Sequence, residues 1–334
     1  MKLGSLRAGG RDGTLIVVSR DLTRAVGATG VAPTLQSAID NWSVTAPRLQ
    51  RLYDELNAGK AKDAFPLVTA DLAAPLPRAY QFADGSAYVR HVELVRKARG
   101  GELPPKFWTD PLIYQACSDR FMGPNDPIEI VSEAHGVDFE AELVGITEDV
   151  PMGTKEAAAG KHLILYMLVN DVSLRNLIPA ELEKGLGFFH GKPTSAFSPV
   201  AVTPDEFGEA FDGKTVHLPL VSTLRGQKFG WPSVSVDQVF TLARLVEHCA
   251  MTRHLGAGSL IGTGTISNVN GNCGSSCIAE VRAHETITQG KPVTPYMAFG
   301  DRIRIEMFDR NGKSIFGAID QTTVHYIPPD ASGS

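Results

Sequence analysis

Glu140 and Glu142, in the run VDFEAELVGI, are the residues whose spacing speaks first of chemistry. Residues two apart on a β-strand share a face, so both carboxylates project together while Val137, Phe139, Ala141 and Leu143 face the other way. Two adjacent anions repel, and the pairing becomes favourable with a cation between them. A hard divalent metal suits that place because it prefers several oxygen ligands. The plain alternative is the solvent face of an amphipathic strand. Asp171 ends the apolar run LILYMLV, in LVNDVSLRN. A carboxylate at the mouth of a buried strand is costly to desolvate unless something pairs with it. Asp84 opens DGSAYVRH ahead of a helix-like stretch, where an aspartate can serve as an N-cap. His91 follows seven residues later, about two helical turns on, so both side chains can reach one side.

The elements that must position these groups read as β-rich with peripheral helices. Residues 1–75 form a small β-rich unit: LGSLR and TLIVVSRD flank AGGRDG, whose glycines and Asp12 suit a hairpin turn. A helical stretch with Ile39, Trp42, Leu49 and Leu52 follows, and LAAPLPRAY reads as a linker into a second unit over 76–330. In that unit LILYMLV (163–169) is expected to be a strand buried on both faces. Ser235 and Gln238 form a capping box, predicting a helix with Val239, Leu242, Ala243, Val246 and Ala250 on one face. Ile303, Ile305 and Met307 alternate with charged residues, and Asn311-Gly312 predicts a hairpin back into KSIFGAI. The regular βαβ rhythm of a doubly wound sheet is missing.

Composition narrows the function. The chain has 334 residues, 43% hydrophobic and 21% charged, as in a soluble globular protein. A net charge of −5 argues against nucleic acid or anionic membrane as partners. No run of apolar residues is long enough to span a bilayer, and MKLGSLRAGGRDG lacks the apolar core of a secretory signal. Cys117, Cys249, Cys273 and Cys277 are spaced too unevenly for a disulfide framework, and one C-x3-C pair is a weak zinc signal. Free thiols and a cytoplasmic address are expected. GTGTISN lacks the Lys-Ser/Thr ending of a phosphate-binding loop.

The order of these signals is specific. Asp-x6-His, Glu-x-Glu on an alternating strand, Asn-Asp-x-Ser-x-Arg after a buried strand, Gly-Lys-Pro and then GTGTIS resembles the fumarylacetoacetate hydrolase family, from about Gln81 to His325. The resemblance implies a mixed β-sandwich/β-roll catalytic domain with a small SH3-like N-terminal β domain, an α+β protein rich in β, assembled as a homodimer. It implies a divalent metal held by Asp84, Glu140, Glu142 and Asp171, with Mg²⁺ the first candidate and Mn²⁺ or Ca²⁺ the alternatives. His91 matches the histidine that activates water, with Glu280 in CIAEVRAH as its orienting partner. Arg175 and Lys192 match cations that stabilise an oxyanion, and Thr265 a hydroxyl offered to a substrate oxygen. Tyr114 matches a substrate-contacting tyrosine, and Arg96 or Arg99 supplies the carboxylate clamp. Gly85-Ser86 stand where fumarylacetoacetate-cleaving members carry an aromatic; Ile178 and Leu182 stand where a glutamine and a tyrosine are expected. The activity implied is metal-dependent hydrolysis of a carbon–carbon bond in a small β-diketo acid, in aromatic-compound or tyrosine catabolism. The alternatives are a 2-oxo acid decarboxylase or hydratase on the same metal site, and a non-catalytic metal-binding relative.

Overall fold

The computed structural model describes residues 1–269 and 271–329; residue 330, the expected end of the second unit, lies outside the described residues. The N-terminal unit holds β1 (Lys2–Leu6), β2 (Thr14–Val18), β3 (Arg24–Gly27), α1 (Leu35–Ile39), α2 (Trp42–Asn57) and β4 (Phe65–Pro66). Then come β5 (Phe82–Gly85), α3 (Val89–Ala98), β6 (Ile113–Gln115), β7 (Ile128–Ile130), β8 (Val137–Asp138) and β9 (Ala141–Thr147). The middle of the chain forms α4 (Glu156–Ala159), β10 (Leu163–Asn170), β11 (Ser173–Leu174), α5 (Ile178–Leu182), β12 (Ala196–Phe197) and β13 (Ala201–Val202). The remainder forms β14 (Leu220–Leu224), β15 (Gln227–Gly230), α6 (Leu242–Cys249), β16 (Leu260–Gly262), α7 (Ile278–Gln289), β17 (Arg302–Met307) and β18 (Ile319–His325).

An open mixed sheet runs β4-β3-β2-β1-β13-β10-β9-β16-β5-β6, with β12 also on β10. The N-terminal hairpin joins it through β1, where Lys2 lies opposite Val202 and Leu3 opposite Ala201. β10 is buried along its whole length, as its sequence predicts. Its period-two alternation serves two cores: Tyr166 and Leu168 face one, Leu165, Met167 and Val169 the other. A second sheet, β15-β14-β17-β18-β7, packs against β9 and β10 across the first core. α1 and α2 cover the second core with Leu35, Ile39, Leu49, Tyr53 and Leu56. Among the described residues no helix is long and apolar enough to cross a membrane. None of the four cysteines forms a disulfide among the described residues.

Three local expectations need correction. Asp84 caps no helix: it lies within β5, and α3 begins only at Val89, so His91 is in that helix's first turn. The Ser235–Gln238 box starts no helix either. Asp237 has φ +57°, Val239 N–H bonds to the Ala87 carbonyl, and the helix begins after Thr241, whose hydroxyl accepts from Arg244 N–H at 3.1 Å. A long-range backbone bond has overridden a local start signal. The turn at Asn311-Gly312 forms, with Asp309 accepting from Asn311 and Lys313 N–H, both at 2.8 Å. The return to β17 comes late: Ser314 and Ile315 meet it only through the Phe308 bridge and the Met307 carbonyl, and the paired strand, β18, begins at Ile319, the last residue of KSIFGAI.

Candidate active site

Neighbouring strands gather the acids. β9 lies between β10 and β16, and β16 pairs with β5, so Glu142 on β9 sits between Asp171 after β10 and Asp84 on β5. The glycines of GTGTIS make room for Asp84. A Cβ on Gly262 would lie 2.0 Å from Asp84 Oδ1, and one on Gly264, at φ +71°, would lie 2.1 Å from the Gly85 carbonyl oxygen. Gly264 N–H then donates to Asp84 Oδ1 at 3.2 Å. The segment cradles a carboxylate.

Oxygens of Asp84, Glu142 and Asp171 lie within 4.8 Å of one another, and all three residues are buried. Glu142 is fully buried, and neither of its oxygens receives a hydrogen bond from a protein N–H or hydroxyl. A proton shared with Asp84 and the nearby charge of Lys192 give it partial relief. Burial, then the charges of Asp84 and Asp171, drives the Glu142 carboxyl well above its ordinary range. Burial and Asp171 push Asp84 up to about 8.

Glu140 is placed differently. Burial opposes its charge, but Arg175 and Lys192 outweigh that and hold its carboxyl well below the usual range. Arg175 donates to Glu140 Oε1 at 2.6 Å and to Asp138 Oδ2 at 2.8 Å. Lys192 donates to Glu140, and to Asp171 Oδ2 at 2.6 Å. The Tyr114 hydroxyl at 2.5 Å and the Ser195 hydroxyl at 2.8 Å complete Asp171. The sequence-expected quartet is therefore a close trio, with Glu140 beside it clamped between two cations.

On the facing helices, His91 Nδ1 lies 3.4 Å from Glu280 Oε1, which also accepts from the Ser267 hydroxyl. Burial raises the Glu280 carboxyl, but hydrogen bonds from His91, Ser267 and Ser275 more than offset it and leave it below its ordinary value. His91, Arg175, Lys192, Thr265, Tyr114, Arg96 and Arg99 all line one cavity of about 390 Å³ with Asp84, Glu140 and Glu142. Arg96 and Arg99 stand at the exposed end of α3, and Arg96 lies 4.8 Å above the Phe107 ring.

Asp138 belongs to this arrangement and escaped the sequence reading. Its oxygens accept from Arg175 and from the first N–H groups of α7, Ile278 at 2.7 Å and Ala279 at 2.8 Å. It thus anchors both the cation that holds Glu140 and the helix that carries Glu280. The signal was present: Asp138 lies two residues before Glu140 in the same alternation. Ser195 left none, since a serine in a loop has no distinguishing pattern, whereas Ser267 ends the GTGTIS motif without its role being legible there. Asp138→Asn is expected to lower kcat about 10- to 100-fold with KM little changed. Steady-state kinetics on a variant with unaltered circular dichroism checks this, and a loss below twofold contradicts the role.

The charge balance has a second consequence. Asp84 and Glu142 bind protons more tightly folded than unfolded, so their stabilisation is complete below the ordinary carboxylate range. It is lost as pH rises, through about 8 for Asp84. Chelator-treated protein should melt higher at pH 5.5 than at pH 8, and Mn²⁺ should raise the midpoint more at pH 8. Equal midpoints at both pH values, with and without Mn²⁺, would contradict this.

Comparison with known proteins agrees with the geometry. Residues 1–78 match the family model "Fumarylacetoacetase N-terminal domain 2", and residues 81–324 match "Fumarylacetoacetate (FAA) hydrolase C-terminal". A 2,4-didehydro-3-deoxy-L-rhamnonate hydrolase of Sphingomonas sp. is 28% identical over 160 residues, 47% of this chain and 53% of that protein. The chain spans about half the length of the curated relatives it matches. The fold is that of a fumarylacetoacetate hydrolase from Exiguobacterium antarcticum, with TM-score 0.64, 20% identity and coverage of 98% of this chain and 100% of that one. A fumarylpyruvate hydrolase from Pseudomonas aeruginosa, solved with Mn²⁺ and pyruvate, has TM-score 0.53 and 14% identity over 75% of this chain and 92% of that one. Other neighbours of the same fold are named as isomerases. With both family models matched in order over nearly the whole chain, this chain belongs to the fumarylacetoacetate hydrolase family.

Proposed function

We propose that this protein hydrolyses a carbon–carbon bond in a β-diketo acid of the fumarylacetoacetate or acylpyruvate type, such as ring cleavage of aromatic compounds supplies. The observation that carries this is His91, paired with Glu280 behind it, lining the same cavity as Asp84 and Glu142, the latter without a donor. The acids fit a hard divalent cation: all donors are oxygen, three residues converge, and Glu142 has both oxygens free to ligate. Asp84, Glu142 and Asp171 would hold the ion, with Glu140 at its edge; Mg²⁺ is the first candidate, and the Mn²⁺ of the Pseudomonas aeruginosa neighbour supports a divalent ion. When bound, the cation supplies a Lewis acid and a counter-charge for the oxygens of the dicarbonyl unit.

The chain's own residues do the rest. Glu280 fixes the His91 ring, and His91 takes a proton from water as the water oxygen bonds to the distal carbonyl carbon. Lys192 and Arg175 keep N–H donors beyond those spent on Asp138, Glu140 and Asp171, and these face the developing oxyanion. The carbon–carbon bond then breaks, its electron pair leaving with the 2-oxo acid fragment as an enolate. The protonated His91 returns its proton to that carbon. One water is consumed, and a carboxylic acid and a shorter 2-oxo acid are released.

Decarboxylation of a 2-oxo acid has no use for an activated water, so the His91–Glu280 pair favours hydrolysis. The test is a direct comparison with Mg²⁺ or Mn²⁺ present. Loss of diketo absorbance with stoichiometric pyruvate from an acylpyruvate supports the proposal. Release of CO₂ from oxaloacetate, with the acylpyruvate untouched, overturns it.

A further inference from the structure

Resting on that reading, we infer that the part of the substrate beyond the reacting carbonyl is hydrocarbon: an acylpyruvate with a saturated alkyl acyl chain, not a fumaryl group ending in a second carboxylate. The cavity changes character from floor to mouth. Its floor holds buried Asp84, Glu140, Glu142 and Lys192. Above it, α3 presents Val92 and Val95, three residues apart on one face, and α5 presents Ile178 and Leu182, four apart on one face. Ile113 and Phe188 close the remaining side, with the Phe188 ring edge-on to Tyr114 at 5.0 Å between centroids. Ile178 is 5% exposed and Leu182 45%, so α5 lines the cavity from its interior to its opening.

Little in this middle zone could receive a second carboxylate. The hydroxyls of Tyr114 and Tyr88 are spent on Asp171 and on the Val234 carbonyl. Arg175 and Lys192 already hold carboxylates at the floor. Arg96 and Arg99 also line the cavity, but at its water-exposed rim on the last turn of α3, with Arg96 over the Phe107 ring and Arg99 at the C-cap. Short of that rim, an anion held against Val92, Val95, Ile178 and Leu182 would be stripped of water without a donor in return. An alkyl chain placed there gains with each methylene it buries, worth about fourfold in kcat/KM.

Ile178 and Leu182 are therefore the residues that set specificity. The experiment measures pyruvate release by the Mn²⁺-loaded protein from acetylpyruvate, butanoylpyruvate, hexanoylpyruvate and fumarylpyruvate. From acetyl to hexanoyl, kcat/KM should rise on the order of 10²-fold, the product of about fourfold for each added methylene. Fumarylpyruvate should fall about tenfold or more below hexanoylpyruvate. In Ile178→Gln and, at the exposed mouth where folding is least at risk, Leu182→Gln, the hexanoyl-to-acetyl ratio should drop about tenfold, mainly through KM. Fumarylpyruvate preferred over hexanoylpyruvate, or a ratio unmoved in both variants, overturns the assignment of the tail and leaves hydrolysis standing. Absence of pyruvate from every member of the series overturns the hydrolytic reading, and the tail assignment with it.

Discussion

Glu142→Gln should produce a protein that is at once more stable without metal and nearly inactive with it. The wild-type side chain is fully buried, meets no donor and faces two further carboxylates. A neutral amide of the same shape removes the choice between a buried charge, which Lys192 offsets only in part, and an obligatory proton uptake. The metal-free variant should gain about 1–3 kcal/mol in urea denaturation at pH 8. The same change removes the central ligand of the trio. Loss of Lewis-acid stabilisation worth several kcal/mol predicts a fall in kcat on the order of 10³-fold. The Mn²⁺-induced rise in melting temperature should disappear as well. The combination matters because ordinary core substitutions destabilise. A less stable variant that still binds Mn²⁺ would mean that Glu142 is no ligand.

His91→Ala should lower kcat about 10²- to 10⁴-fold, the usual worth of a positioned general base, while leaving Mn²⁺ binding intact. Metal affinity is the control, since His91 hydrogen-bonds to Glu280, which is not one of the three clustered acids. Glu280→Gln should give a smaller loss. The amide keeps a hydrogen-bonding group near the ring but cannot balance an imidazolium as the proton arrives. Buried Glu280 is held ionised by His91, Ser267 and Ser275, so Glu280→Gln should also shift the pH dependence of kcat. Unchanged turnover in His91→Ala would remove the water-activating step and leave the decarboxylase alternative in front.

Much of the site could be read from the chain, though its assembly could not. Alternation put Glu140 and Glu142 on one face, and the apolar run before Asp171 marked a central strand that is buried as expected. Sheet order was beyond reach. Asp84 and Asp171 meet Glu142 only because β16 inserts between β5 and β9 while β10 pairs on the other side of β9, and no local pattern encodes that neighbourhood. Spacing also misled at Asp84, which resembled an N-cap because a helix does follow, four residues beyond its strand. The capping box at Ser235 failed for a related reason. A bond from Val239 N–H to Ala87, distant in sequence, holds that segment extended against α3's entry. The resemblance to a family supplied the grouping of four acids, and the geometry refines it. Glu140 is bound to Arg175 and Lys192, whereas Glu142 alone offers two unengaged oxygens. Asp138 shows what a longer look at the same strand would have yielded, since it continues the alternation that identified the glutamates.

The central claim is that buried acids hold a divalent ion on which cleavage of a dicarbonyl compound depends. It is tested most directly by following pyruvate release from hexanoylpyruvate with protein stripped by a chelator, before and after Mn²⁺ or Mg²⁺ is restored. The rate should fall at least on the order of 10²-fold on stripping and recover on adding back either ion, in the wild type and not in Glu142→Gln. An undiminished rate after stripping would contradict the account.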